Sequence, residues 1–393
     1  MRVFWDYLPL RGKGGERSMD FSLTETQELL RKSARAFLAE RATPSHVRHA
    51  ATSERGYNNE FWRDVAGLGW TGLIIPERYG GAGMTFADMA VLLEEWGAAL
   101  APGPFVETAV IGAAAITSCA NEEQKREYLP RMAEGSLIVA PALLGEAGDW
   151  SLSSAGMAAS VTQGGWALRG ARHFVNYADS AGLFIMSGTL PGVNGPAGAF
   201  LAPRPVMELA SFTRMATSGG VPTFKIEMAG ARFPADARLE TQMDGLPVLD
   251  RMIQMGAVAR SLQMAGAARR VLELTVQYVS GRKQFGRPVG SFQAVQHKCA
   301  DMAVSLQGAR HTAYRAAWAI SEGRPAVREA AIAKLSMNEA LSQICSTAHQ
   351  CFGAIGFTWE HDLHLFTRRA VAWRAEYGDT PYHRGALANA LGL

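Results

Sequence analysis

Gly281-Arg282-Lys283-Gln284-Phe285-Gly286-Arg287-Pro288 separates two long stretches of helical periodicity, and how it is read decides the architecture. Upstream, Met252, Met255, Ala259, Leu262, Ala265, Leu272, Val276 and Val279 recur at the spacing of one helix face. The octapeptide therefore marks the end of a long helix, where two or three cations complement the helix dipole without any ligand. An arginine at the same place has a fork that fits two oxygens of a pyrophosphate, so a nucleotide cofactor is the competing reading. Downstream, helical segments at roughly 293–321, 326–353 and 361–376 are divided by Gly323-Arg324-Pro325 and by Gly353 and Gly356. Four helices with short connections predict an antiparallel bundle over 245–393.

Before the long helix the texture differs. Between about Ile138 and Glu240, short apolar or alternating runs such as Leu137–Leu144, Leu183–Met186 and Phe224–Met228 are spaced by Gly, Pro, Ser and Asn, which predicts a β domain over 138–244. From Thr24 to about Leu137 the helical period governs again, as in Leu30, Ala34, Phe37 and Leu38, giving an α-helical domain over 19–137. Ser22-Leu23-Thr24-Glu25 has the spacing of a capping box at its start, and residues 1–18 read as an upstream extension.

Composition narrows the function classes. The 393 residues suffice for two or three domains. Charged residues are only 19% of the chain, which points to covered surface and hence an oligomer. Lys and Arg total 39 against 36 Asp and Glu, too even a balance to suggest nucleic acid or an anionic lipid surface as partner. Thr108–Ala120, the longest uncharged apolar stretch, is too short to span a bilayer. Four cysteines without a Cys-x-x-Cys pair make no disulfide framework and suit a reducing cytoplasm.

Several short motifs occur in a telling order: Pro76-Glu77-Arg78-Tyr79-Gly80-Gly81, Glu123-Gln124-Lys125 with Tyr128-Leu129-Pro130, Arg282-Lys283-Gln284-Phe285-Gly286, Ser291-Phe292-Gln293 before Gln296-His297, and Gln350-Cys351-Phe352-Gly353 with Gly356-Phe357. Together they resemble the acyl-CoA dehydrogenase family, over nearly all of 19–393. The resemblance implies an α+β multidomain fold: an N-terminal α-helical domain, a central β barrel and a C-terminal four-helix bundle. It implies FAD as cofactor and an acyl-CoA thioester as substrate, desaturated by a carboxylate base while hydride passes to the flavin. The base must be desolvated and within hydrogen-bond reach of a weakly acidic proton. By the same resemblance Arg282, Gln284, Phe285, Gln350 and Gly353 meet the pyrophosphate and adenosine side of a flavin that reaches a neighbouring subunit. An electron-transfer flavoprotein or similar acceptor would take the electrons.

The chain departs from the family where chemistry is expected. The family base stands either at the position of Tyr377, before Gly378, or at that of Gly256, 26 residues before Arg282, and neither is a carboxylate here. Tyrosine ionises near pH 10 and glycine not at all. Asp379 is the preferred substitute and Glu376 the second, although a one-residue shift rotates a helical side chain by about 100°. The flavin-facing stretches are altered too: Leu144-Gly145-Glu146-Ala147-Gly148-Asp149 lacks the family's hydroxyls, and Phe174-Val175-Asn176 keeps only Asn176 as a hydrogen-bonding side chain. Tyr377 and Arg384 stand where they would touch substrate.

Two readings follow. The chain is an acyl-CoA dehydrogenase with a relocated base, in a homo-oligomer, or it is a catalytically incomplete subunit completing the FAD site of a homologous chain in a heterotetramer, of the kind used on steroid side chains. No metal is expected: His361 and His364 share a helix face, but no further ligand set converges on them.

Overall fold

The computed structural model describes residues 21–150, 156–192, 198–239, 242–243 and 246–393. The extension at 1–18 and the boundary at 244/245 lie outside the described residues. The chain opens with α1 (Glu25–Arg41), α2 (Pro44–Thr52), α3 (Asn59–Gly67) and α4 (Phe86–Ala98), followed by a buried π-helical turn at Val106–Gly112, then α5 (Ala113–Cys119) and α6 (Glu122–Ala133). The capping box falls two residues later than the sequence suggested. Thr24 Oγ1 accepts from Gln27 N at 3.2 Å and Gln27 Oε1 accepts from Thr24 N at 3.1 Å, because glutamine at the third helical position can return the bond.

The middle of the chain forms β1 (Val139–Ala142), β2 (Met157–Thr162), β3 (Gly165–Asn176), β4 (Leu183–Gly188), β5 (Gly198–Pro203), β6 (Ser211–Met215) and β7 (Thr223–Pro234), with β8 (Gln242–Met243) and β9 (Leu246–Pro247) pairing in a short ribbon. These are separate sheets, β1-β4-β5 and β2-β3-β7-β6, and not the closed barrel expected. The two larger sheets are joined by isolated bridges such as Ala158 with Thr189, and by Arg172 of β3 donating to Ser187 O of β4 at 2.8 Å. Two register shifts along β3, the second between Arg172 and Val175, break its pairing with β7. There Phe174 adopts φ 58° and its ring turns out of the sheet.

The C-terminal part comprises α7 (Val248–Gly281), a hairpin of β10 (Lys283–Gln284) and β11 (Arg287–Pro288), α8 (Gln293–Ser321), α9 (Val327–Phe352), α10 (Leu363–Ala375) and α11 (Thr380–Ala390). A fifth helix, α11, thus follows the four read from sequence. Asp379 caps it, accepting from Tyr382 N at 2.9 Å. Nor does α7 bury a single face: Arg251 through Ala268 are all buried, since this half runs through the centre of the molecule.

Where α4 crosses α7 the backbones nearly touch. A Cβ on Gly97 would stand 1.9 Å from Gln263 O, and one on Gly266 would stand 1.8 Å from Glu94 O. Carboxylates beside the crossing bind it to its neighbours: Glu94 accepts from Arg310 Nε at 3.0 Å and Tyr314 Oη at 2.6 Å, while Glu95 accepts from Arg35 and from Arg269 at 2.8 Å. Burying two carboxylates is tolerable because each is paired and hydrogen-bonded. Among the described residues no helix is long and apolar enough to cross a membrane. Gly266→Ala is expected to lower stability by about 1–3 kcal/mol or more, since neither backbone can retreat, and a urea unfolding curve reads the loss.

Candidate functional site

A cavity of about 380 Å³ opens between the sheets and α10. Leu143, Leu144 and Gly148 line it from the segment after β1, Phe174 and Asn176 from β3, Thr223 from β7, and Val371, Ala372 and Ala375 from α10. Its walls are largely apolar, as expected of a small-molecule site. The two stretches read as flavin-facing in the sequence therefore do converge in one place.

The polar floor comes from residues the sequence reading had not singled out. Glu107, on the π-helical turn, is buried and accepts from Asn176 Nδ2 at 3.2 Å; Thr223 Oγ1 donates to Asn176 Oδ1 at 2.9 Å. Arg260 of α7 stands behind it, with Nη2 3.3 Å from Glu107 Oε1 and 2.5 Å from Glu376 Oε2. Its remaining amino group donates to Gln263. Burial raises the Glu107 carboxyl above its usual range against the pull of Arg260. Burial works to lower the Arg260 guanidinium, but Glu376 and Glu107 outweigh it and raise it. An arginine on the innermost stretch of a mostly apolar helix, and a glutamate two residues after Phe105 in an apolar run, were the available signals, because buried charges are rarely left unpaired.

Tyr377 closes the site. The residue has φ 54°, lies against Trp150 with ring centroids 5.6 Å apart, and is buried. Burial, reinforced by the charge of Glu107, pushes its phenol well above the ordinary value, so it has no tendency to ionise. A Cβ placed on Gly256 would sit 2.4 Å from this ring. The two positions where the family carries its base are thus in contact, and the ring at one fills the space that a side chain at the other would need.

The remaining predicted residues scatter. Asp379 is exposed at the start of α11 and lines a shallow depression that adjoins the cavity across Val371 and Ala375, without lining the cavity itself. Its role as helix cap, not a place at the cavity, accounts for its position. Glu376 does reach the cavity, but through its ion pair with Arg260. Arg384 is exposed on α11 and absent from the cavity wall. Arg282, Gln284 and Phe285 are exposed on or beside the β10–β11 hairpin, with Phe285 91% exposed. Gln350 and Gly353 lie at the same end of the bundle, where Tyr278 stacks on Phe352 at 4.4 Å. The 26 residues of α7 from Gly256 to Arg282 hold this end about 39 Å from the Tyr377 contact. Met252, Met255 and Met264 are buried in the cores. Among the described residues no group of three or more His, Cys, Asp or Glu could hold a metal ion.

The two ends differ in how they suit FAD. At the hairpin, Arg282 and Lys283 have no ion-pair partner among the described residues, so cationic donors stand available for a diphosphate. At the cavity, size and apolar walls fit a flat ring, while Asn176 is already engaged by Glu107 and Thr223 and, among the described residues, no unpaired carboxylate lines the space.

The corner that carries Glu376, Tyr377 and Gly378 is clamped from below. Lys334 of α9 is fully buried, and its Nζ has four acceptors within hydrogen-bond distance for at most three N–H groups: Trp373 O at 2.9 Å, Arg374 O at 3.2 Å, Gly378 O at 3.1 Å and Asn338 Oδ1 at 3.1 Å. Burial lowers its amine to about 7. From the other side His383 Nε2 meets Tyr377 O at 2.9 Å.

Comparison with known proteins places these features in context. Residues 24–136 match the acyl-CoA dehydrogenase N-terminal domain and residues 243–392 the acyl-CoA dehydrogenase C-terminal domain. The acyl-CoA dehydrogenase IpdE2 of Mycolicibacterium smegmatis is 30% identical over 351 residues, which cover 88% of this chain and 93% of that protein. A chain of the ChsE4–ChsE5 complex from Mycobacterium tuberculosis superposes with a TM-score of 0.87 at 27% identity, over 95% of this chain and 99% of that one. A chain from a variant of the Tcur3481–Tcur3483 steroid ACAD gives 0.85 at 28% identity, over 94% and 98%.

Lys334 gives the corner a pH signature. Between about 7 and the ordinary value of 10.5 the unfolded chain holds the Lys334 proton and the folded chain does not. Stability therefore gains up to about 1.4 kcal/mol per pH unit as pH rises through that window. Urea unfolding of Lys334→Met across the same window is expected to lack that component of the slope.

Proposed function

Because the chain belongs to the acyl-CoA dehydrogenase family, whose members are oxidoreductases acting on CH–CH bonds, we propose that it is the base-less subunit of a heteromeric FAD-dependent acyl-CoA dehydrogenase. The observation that carries this reading is the contact between Tyr377 and Gly256, which leaves both family base positions without a carboxylate and fills the space between them. The nearby acids do not replace it. Glu376 is committed to Arg260, and Asp379 caps α11 and does not line the cavity. A general base must lie within hydrogen-bond reach of the proton it removes, and a carboxylate held in an ion pair is a weaker base.

FAD, when bound, accepts the hydride lost from the acyl chain. In this reading, Arg282 supplies a bidentate grip on its diphosphate, Phe285 offers an exposed ring to the adenosine side, and Gln350 and Gly353 complete the surface. These residues lie about 39 Å along α7 from the Tyr377 contact, too far to hold a cofactor whose ring sits in the same chain's cavity. They serve a homologous subunit that carries the catalytic carboxylate. The similarity to chains of the ChsE4–ChsE5 complex and of a steroid ACAD supports a heteromer and a bulky acyl-CoA as substrate class.

Two experiments test the reading on the complex with its homologous partner. Asp379→Asn is expected to leave kcat within about twofold, whereas loss of a true general base costs about 10²–10⁴-fold. A loss of that size makes this chain's own acid the base and ends the proposal. Arg282→Ala is expected to weaken FAD retention at least about tenfold, read by flavin absorbance after gel filtration, because it removes a charge-assisted bidentate contact.

A further inference from the structure

Cys299 on α8 and Cys351 on α9 stand apart from the other two cysteines. Cys119 and Cys345 are buried, whereas Cys299 and Cys351 are both only half-buried and so within reach of small reagents. Their helices pack side by side, and the preceding residues on each are in contact, Lys298 Nζ donating to Gln350 Oε1. That bond sets the two helices at the same level one residue before each cysteine. The thiols themselves lie within hydrogen-bonding reach of each other.

The surroundings give the two sulfurs different roles. The hydrogen bond from Cys299, helped by the Lys298 charge, lowers the Cys351 thiol against the effect of burial. The same bond, with burial, raises Cys299. Lys298, held one residue from Cys351 by its bond to Gln350, favours the thiolate at Cys351, the arrangement of an attacking thiol beside a resolving one.

We propose that Cys299 and Cys351 form a peroxide-sensitive dithiol, a modification site remote from the cavity and beside the surface assigned above to a neighbour's FAD. The Cys351 thiolate attacks a hydroperoxide, forming an S–O bond as the O–O bond breaks, and the departing alkoxide or hydroxide takes up a proton. Cys299 sulfur then attacks the resulting Cys351 sulfenic acid, the S–S bond forms, and the sulfenic oxygen leaves as water with the Cys299 proton. Two thiols and one hydroperoxide give one disulfide, one alcohol or water, and one water, with two electrons passing from sulfur to peroxide oxygen. The bridge pins α8 to α9 beside Gln350 and Gly353.

The test uses the full chain, alone and assembled with its homologous partner, treated with hydrogen peroxide. Thiol titration after denaturation is expected to fall from four thiols to two, and a non-reduced digest to contain one bridge joining Cys299 to Cys351 that dithiothreitol reverses. Cys299→Ser is expected to leave a sulfenic acid on Cys351 that dimedone traps, and Cys351→Ser to slow loss of the Cys299 thiol at least about tenfold. Retention of all four thiols, a bridge between two chains, or dimedone trapped on Cys299 in the Cys351-containing chain would each overturn the proposal. The bridge is read in the unsubstituted chain, so a variant that fails to fold leaves that readout intact.

Discussion

One guanidinium joins the three elements that meet at the cavity. Arg260 projects from the buried half of α7 to the π-helical turn through Glu107 and to the end of α10 through Glu376, with the rings of Trp373 and Tyr377 5.6 and 5.8 Å from its centre. A charge so deeply placed is costly unless every lone pair and proton around it is used. The network offsets much of that cost with two carboxylates, Gln263 and, through Glu107, Asn176 and Thr223, although Arg260 Nε is left without a hydrogen-bond partner among the described residues. The same arrangement decides what the cavity cannot do. Both carboxylates that reach it are spent on Arg260, and the phenol at the family base position stays protonated, so the space retains the shape of a ligand site without a group to take a proton.

The architecture was largely legible because it rests on periodicity. The apolar repeat of α7, the short runs that became β1, β4 and β7, and the glycine breaks between the bundle helices all follow from local pattern. Closure of the sheets was not legible, since alternation fixes which face of a strand is buried and says nothing about which edges pair. The helical segments read from sequence stop at 376, so α11 lay beyond them; Pro381 sits in its first turn, where proline is well placed.

The site was legible only in part, and for a different reason. Leu144, Phe174, Asn176 and Glu376 are far apart in sequence, and the chain's likeness to a family was what brought them together in advance. The capping role of Asp379 was not legible because a carboxylate just after a glycine looks the same in sequence whether it faces a cavity or caps a helix. Glu107 and Arg260 were overlooked because each, taken alone, breaks an apolar pattern, and their pairing spans 153 residues. The contact between Gly256 and Tyr377 explains two departures at once: a small residue at one position makes room for the large ring at the other.

The two ends of α7 thus have opposite characters, one sealed around a buried ion pair and one presenting unpaired cations and an exposed phenylalanine to whatever docks there. In the proposed reading, a chain built this way completes a neighbour's site and has none of its own. The most direct measurement is the visible spectrum and FAD content of the protein purified alone and after co-expression with its homologous partner. The account predicts a colourless chain alone and about one FAD for every pair of chains in the mixture. A yellow protein purified alone with one FAD per chain, reducing a dye with an acyl-CoA, would contradict it.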